Sequence, residues 1–393
     1  MTEQSSALAT QRRTAPPGAL KWALAYHGHM ERMDRRSALT LTGMALAATL
    51  LQDTASAGIK PLRVLILGGT GFIGPHFVTT LNAHGHQVTL FNRGKRQSQP
   101  PAGVESLLGD RNGQLDALRG RDWDVVIDDS GYIPRQVQAS AELLQGHARH
   151  YLFVSSISAY ADLGKPGTTE NAPLATLTDP TTEKVDEQSY GGLKALCEQA
   201  VERSWGEHCA VIRPTYIVGP GDTTDRFTYW PVRVARGGDL LAPGTARDPI
   251  QYIDVRDLAD FMCRCAERQL AGRYNLCNPP GAVTMGQLLD TCRKVAHSDA
   301  RFVWASTAFL EREKLLDSGE LPIWAPPSGE SAGFAQVSCA RAVRAGLKFR
   351  SLRTTVADTL SWHRRRPAEQ QARLRAGLSS EREQELLQKL HNG

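Results

Sequence analysis

An α/β fold, a doubly wound parallel sheet with a smaller C-terminal lid, is what this sequence predicts. Three observations carry that expectation. Beyond residue 60, short apolar runs alternate with amphipathic stretches in the rhythm of strand–helix–strand units. The first apolar run, Leu62–Leu67, ends in a turn with glycines at 68, 71 and 74. Past Gly219 the pattern loosens into Pro- and Gly-rich segments, as in a lid assembled from non-contiguous pieces.

The elements follow in order. Strands are expected at Arg63–Leu67, Gln87–Asn92, Val104–Gly109, Asp124–Asp128, Tyr151–Ser155, Ala210–Pro214 and Arg273–Cys277. Helices are expected at Pro75–His84, Gln136–Leu144, Tyr190–Ser204 and Thr284–Ala296, with a last helix opened by Ser380 and Glu383 as a capping box. Residues 58–218 are therefore expected to form the doubly wound sheet domain. Residues 219–393 form mainly the lid and C-terminal helix, with one strand returning to the sheet near 251–278. Ligands of such sheets sit at the carboxyl ends of the strands, near the switch point.

Bulk properties narrow the field. A chain of 393 residues can bury one sizeable α/β domain and a smaller one. Its net charge of +5 is mild, and no dense basic tract of nucleic-acid type occurs; Arg364-Arg365-Arg366 reads as a solvated face. No nucleic-acid partner is expected. The 7 cysteines form no CxxC and read as small buried hydrophobes, so no metal site is implied.

Residues 1–57 read as an N-terminal extension ending in an export signal. Arg35-Arg36 precede the mildly apolar Ala38–Leu51, then Ala55-Ser56-Ala57 offers a small-x-small cleavage site. The apolar stretch is too short and too rich in Thr and Gly to span a bilayer, so no stable membrane span is expected after cleavage. It resembles a twin-arginine signal, with Ala38 where those signals usually carry Phe. Residues 1–32 precede it awkwardly and point to a start at Met30 or Met33. The expectation is a periplasmic or exported protein; the alternative is a cytoplasmic one with an N-terminal extension.

The glycine turn suits a nucleotide pyrophosphate for physical reasons. Gly68 permits the sharp bend, Gly71 lets the backbone approach the phosphates, and Gly74 lets the helix pack on the strand. Thr70, Phe72 and Ile73 complete the turn, whose N–H groups and helix dipole hold negative charge. Downstream, Tyr190 and Lys194 stand four apart on one helix face. A tyrosine is a poor acid or base at neutral pH, and a nearby ammonium is expected to lower its pKa. Ser156, at the end of a strand, could donate a hydrogen bond to a substrate oxygen.

With these motifs the chain resembles an extended short-chain dehydrogenase/reductase of the NAD-dependent epimerase/dehydratase family, over about Leu62–Trp362. The marks are Gly-Gly-Thr-Gly-Phe-Ile-Gly (68–74), Phe-Val-Ser-Ser-Ile-Ser-Ala-Tyr (153–160), Tyr-Gly-Gly-Leu-Lys (190–194), Ile-Arg-Pro-Thr-Tyr-Ile-Val-Gly-Pro-Gly-Asp (212–222) and Gln-Tyr-Ile-Asp-Val-Arg-Asp-Leu-Ala (251–259). The resemblance implies a Rossmann domain and a hydride-transfer enzyme, with Ser156 orienting substrate and Tyr190 as acid/base. Lys194 would tune Tyr190 and hold the nicotinamide ribose. Ser155 is the alternative to Ser156. A homodimer is also a family expectation.

The cofactor is expected to be NADP rather than NAD. NAD-preferring sites place a carboxylate at the end of the second strand; here Asn92-Arg93-Gly94-Lys95-Arg96 stands there, and Arg93 could meet a 2′-phosphate. Asp110, followed by Arg111, resembles the family's adenine-contacting acid. Ser130 and Gly131 follow the fourth strand on the cofactor side, but Asp128-Asp129 departs from the small apolar residues usual there. Pro214 closes the cofactor set.

The substrate set is Tyr132, Asp222, Arg226, Phe227 and Tyr229. Nucleotide-sugar epimerases clamp a diphosphate with arginines where this chain has Ile250 and Pro327-Ser328-Gly329-Glu330, although Arg247 could compensate from a shifted loop. The expected activity is an NAD(P)-dependent epimerase or oxidoreductase acting on a secondary alcohol or ketone of a small, sugar-like molecule that is not a nucleotide sugar. The alternatives are an NADPH-dependent carbonyl reductase of a less polar ketone, and a non-catalytic nucleotide- or RNA-binding protein. Because a periplasm has no ready nicotinamide pool, an exported enzyme is expected to retain its cofactor and run a redox-neutral reaction.

Overall fold

The structure is a computed structural model that describes residues 60–95, 101–316 and 318–392. The expected export signal and Arg96 lie outside the described residues. In chain order the strands are β1 Arg63–Leu67, β2 Gln87–Asn92, β3 Glu105–Leu108, β4 Val125–Asp128, β5 His150–Val154, β6 Cys209–Pro214, β7 Tyr216–Val218, β8 Asp239–Pro243, β9 Tyr252–Asp254, β10 Gly272–Leu276 and β11 Arg301–Ala305. A 7-stranded parallel sheet runs in the order β10-β6-β5-β4-β1-β2-β3, built from the strands the sequence predicts. Outside it β7 pairs with β9 and β8 with β11. Sequence reading missed those pairs because runs of 3 to 5 residues between glycines and prolines carry too little periodicity.

Helices cover both faces, which is why the central strands β4, β5 and β6 are buried along their whole length. The main ones are α1 Gly74–Ala83, α2 Pro134–Leu143, α3 Glu187–Trp205, α4 Tyr229–Ala235, α5 Val255–Arg268 and α6 Met285–Ala296. Val64 and Ile66 of β1 pack with Phe77 and Leu81 of α1 and Leu258 of α5. Leu65 and Leu67, pointing the other way, pack with Val137 of α2 and Val201 of α3. Each such side chain, fully buried, contributes about 1.5–3 kcal/mol of transfer free energy.

The lid has its own core, where Trp230 of α4 meets Leu288 of α6 and Leu386 of the helix Ser380–Asn392. That last helix starts one residue differently from expectation. Ser379 rather than Ser380 caps it, its Oγ accepting from Arg382 N at 3.1 Å. Glu383 does not complete a capping box; its carboxylate pairs with Arg233 of α4 and accepts from Leu241 N, fastening the helix to the lid. Among the described residues no helix is long and apolar enough to cross a membrane. All 7 cysteines are buried and free.

Candidate functional site

Strand order reverses between β1 and β4, and there a cleft of about 1390 Å³ opens at the carboxyl ends of the strands. The glycine turn forms one end. Gly68 and Gly69 adopt φ of +119° and +79°, backbone that L side chains avoid, so both positions require glycine. Sequence reading assigned the bend to Gly68 alone. A Cβ on Gly74 would lie 2.3 Å from the Gly69 backbone, so α1 seats directly on the turn. Thr70, Gly71, Phe72 and Ile73 line the cleft.

At the other end stand the chemical groups. Asp186 caps α3 by accepting from Ser189 N at 2.9 Å, and Ser189 Oγ accepts from Asp186 N at 3.0 Å. The helix thus begins just before Tyr190. Gly191 lets it approach the 156–160 segment, since a Cβ there would lie 2.2 Å from the Ser158 carbonyl oxygen. This contact brings Tyr190 near Ser156, which lowers the phenol's pKa; the Ser156 hydroxyl donates to Ser158 Oγ at 3.1 Å. Ser155 also borders the cleft, but its side chain is buried and its hydroxyl donates to Glu198. Lys194 is buried beneath, its Nζ donating to Val154 O at 2.7 Å and Gly131 O at 2.8 Å. Those bonds leave one ammonium proton for the cleft.

Tyr190 differs from the sequence expectation. Burial pushes its phenol above the usual tyrosine value, while the Ser156 hydrogen bond and the Arg226 charge pull it down only in part. Burial also holds the Lys194 ammonium below its usual value. The lysine spends two protons on backbone carbonyls, and its charge does not reach Tyr190 strongly enough to depress it.

The expected cofactor residues divide. Asn92, Arg93, Asp110 and Pro214 line the cleft, and Arg93 is exposed. Asn92 shapes the loop, its Oδ1 accepting from Gly94 N at 2.8 Å. Arg111 reaches the cleft wall, but its guanidinium makes a bidentate pair with Asp128 at 2.7 Å and donates to Ser140. It braces the sheet end rather than offering a free cation. Ser130 spends its hydroxyl on Leu67 O at 2.8 Å. Gly131 sits behind the wall, where a Cβ would lie 2.5 Å from Phe153, and contributes only its carbonyl to Lys194.

Asp129, outside the expected set, is the group that sequence reasoning saw as a departure without giving it a role. Its carboxyl accepts from Gly69 N at 3.2 and 3.1 Å and lies against Gly68. Burial, with Asp128 adjacent, raises its pKa to about 7.

The expected substrate residues need correction. Tyr132 and Arg226 line the cleft, with Tyr132 6.4 Å from the Tyr190 ring and Arg226 stacked on Tyr216 at 4.9 Å. Phe227 and Tyr229 do not; they are buried in the lid core, at 0% and 2% exposure. Asp222 is also buried, its Oδ1 accepting from Thr224 N and Oγ1 at 2.9 and 2.6 Å, where it caps a turn. Ile250 is likewise in the lid core, and Arg247 is exposed away from the cleft, so it does not replace a diphosphate clamp. The cleft walls also include Ser158 and Tyr216, which lie in the 153–160 and 212–222 motifs without an assigned role, and Thr176 and Phe334, which carried no sequence signal.

This chain is similar to proteins of known name. It is 29% identical over 252 residues to "Chloroplast stem-loop binding protein of 41 kDa b" of Arabidopsis thaliana, covering 59% of this chain and 62% of that one. It is 30% identical over 175 residues to "2'-dehydrokanamycin reductase" of Streptomyces kanamyceticus, covering 44% and 45%. The chain thus spans less than two thirds of the length of either relative. Among solved structures, a UDP-glucose 4-epimerase superposes with a TM-score of 0.59 at 16% identity, over 81% of this chain and 100% of that one. The human epimerase family protein SDR39U1, solved with NADPH, gives 0.50 at 18%, over 76% and 99%. Structural likeness at this identity shows the shared fold. The family model of the NAD dependent epimerase/dehydratase family matches residues 64–277, and the chain belongs to that family.

Proposed function

We propose that this protein is an NAD(P)-dependent oxidoreductase or epimerase acting on a secondary alcohol or ketone of a small, sugar-like substrate other than a nucleotide sugar. The observation that carries this reading is the meeting of Ser156, Tyr190 and buried Lys194 in one cleft with the glycine turn. Glycines at 68, 69 and 74, where side chains would clash or strain, fit a dinucleotide backbone. The turn would hold the pyrophosphate, Asp110 the adenine end and Lys194 the nicotinamide ribose. The bound cofactor supplies or accepts the hydride. Tyr190 moves the proton at its Oη to or from the substrate oxygen, and Ser156 orients that oxygen.

NADP is favoured over NAD because Asn92 puts no carboxylate at the end of β2, while Arg93 and Lys95 are exposed beside it. A sugar-like substrate is supported by aromatic walls at Tyr132, Tyr216 and Phe334 with Ser158, Thr176 and Arg226 between them. Absence of the diphosphate-clamping arginines argues against a nucleotide sugar. The reductase name of one relative favours the reductive direction, whereas the stem-loop-binding name of the other favours a nucleic-acid partner. The intact Ser156–Tyr190–Lys194 group weighs toward chemistry. Export by the twin-arginine-like segment, a retained cofactor and a homodimer belong to the same proposal.

The test begins with protein purified from its native host without added nucleotide, denatured and analysed by mass spectrometry for released cofactor. Bound NADP(H) is expected, as is a loss of turnover of about 10²–10⁴-fold in Tyr190→Phe on sugar-like ketones. A Tyr190→Phe protein as active as wild type would overturn the catalytic reading, and a tight RNA complex without turnover would favour the binding one.

A further inference from the structure

His84 and His86 flank the turn between α1 and β2. Cys263 and Glu267 stand one helical turn apart on α5, the helix packed against α1. One ligating atom from each of these residues lies within 4.8 Å of all the others. Glu267 Oε1 is the hub, 2.8 Å from His84 Nδ1, 3.3 Å from His86 Nε2 and 3.7 Å from Cys263 Sγ. The side chains of His86 and Glu267 are 0% and 8% exposed, whereas that of His84 is 48% exposed and gives access from solvent.

We propose that these four side chains form a binding site for a borderline-soft divalent cation of the zinc class, separate from the hydride-transfer cleft. Two imidazole nitrogens, a thiolate and a carboxylate are the donors such a cation prefers. Charge supports the assignment. Thiolate and carboxylate together bring two negative charges, so a bound dication leaves the site neutral and no net charge is buried between α1 and α5. In a tetrahedral zinc site the ligand atoms stand about 3.3–3.8 Å apart. Side-chain shifts on the order of 1 Å convert the present cluster into that geometry.

The protons balance as follows. Cys263 releases its thiol proton to solvent, and Glu267 binds as the carboxylate. His84 binds through Nδ1 with its proton on Nε2. His86 binds through Nε2, which moves its proton to Nδ1, where Leu62 N now donates at 3.3 Å. That long bond is given up on binding, so coordination is linked to the start of β1. With every position filled by protein, the site is structural: it clamps the end of α1 to α5. The proposed site departs from the sequence expectation of no metal site. Its ligands come from two short pairs far apart in the chain, a pattern without a linear signature.

The test uses the full chain, stripped of metal and titrated with Co²⁺ alone. Saturation at one equivalent is expected, with the visible bands of tetrahedral cobalt, a near-ultraviolet thiolate band and displacement by Zn²⁺. Stoichiometric Zn²⁺ should raise the melting temperature. His84→Ala, at an exposed position that leaves the core intact, should weaken cobalt affinity at least tenfold. Cys263→Ser should abolish the thiolate band. A pale octahedral spectrum overturns the site, as does a thiolate band that survives in Cys263→Ser or an affinity unchanged in His84→Ala.

Discussion

Replacing Asp129 with Asn probes the carboxyl that this chain places on its glycine turn. Asn is nearly isosteric, and its Oδ1 can still accept from Gly69 N, so geometry is kept and ionisation is removed. The folded-state pKa of Asp129 is raised to about 7. Stability tied to the protonated form is therefore complete below the unfolded pKa near 4 and is lost as pH rises through about 7. Three pKa units correspond to about 4 kcal/mol as an upper bound. The carboxyl is partly open to the cleft, and solvation there reduces the expected effect to about 1–2 kcal/mol.

Urea unfolding at pH 5 and pH 8 reads this directly. Wild type should lose about 1–2 kcal/mol more than Asp129→Asn across that interval. Subtracting the two proteins removes the contributions of His76, His150 and His363, which titrate in both. The same charge bears on the cofactor, because an ionised Asp129 faces the turn proposed to hold a pyrophosphate. Wild-type affinity for NADPH should fall between pH 6 and 8, while that of Asp129→Asn should stay level. Parallel stability curves for the two proteins would refute the assignment of a perturbed carboxyl at this position.

Two further predictions concern how the proposed catalytic group is held. Gly191→Ala places a methyl against the Ser158 carbonyl, so α3 must shift; a loss of about 1–3 kcal/mol of stability and a fall in kcat exceeding any rise in KM are expected from unfolding and steady-state kinetics. Glu198 and Arg213 form an ion pair with both side chains 0% exposed, and Glu198 also holds Ser155. Glu198→Ala should cost about 3–5 kcal/mol in chemical denaturation, since it leaves a buried guanidinium without its counter-charge.

The sheet was legible in the sequence because parallel strands buried on both faces must be continuously apolar, and the turns between them are marked by glycine. Ser156 was preferred to Ser155 by its place after Phe153, and in the structure the Ser155 hydroxyl turns inward to Glu198. Facing was what the lid hid. Asp222, Phe227 and Tyr229 follow β7 in an order that suits a pocket wall, yet Phe227 and Tyr229 turn into the lid core while Thr224 and Arg226 line the cleft. An aromatic run beside a turn has no period that distinguishes the two faces. Gly69 and Gly191 escaped notice for another reason. A side chain at Gly69 would meet Leu90 and one at Gly191 would meet Ser158, partners distant in the chain.

Direction of proton transfer is the point at which the Tyr190–Lys194 pair departs most from expectation. Burial raises the phenol and lowers the ammonium, so both shifts favour the neutral forms. At neutral pH Tyr190 therefore carries its proton and is poised as an acid. Protonating a ketone oxygen needs nothing further, whereas accepting a proton from an alcohol requires Tyr190 first to lose its own. With saturating cofactor, ketone reduction should be level from pH 6 to 8 and fall only at alkaline pH. Alcohol oxidation should rise across the same range and level off where reduction declines. The Arg226 charge is one of the two influences pulling the phenol down, so Arg226→Gln should move both limbs to higher pH. Burial then sets the pH at which the two limbs turn, unless oxidation proves already at its plateau at pH 7, which would show that Tyr190 ionises readily in the working enzyme.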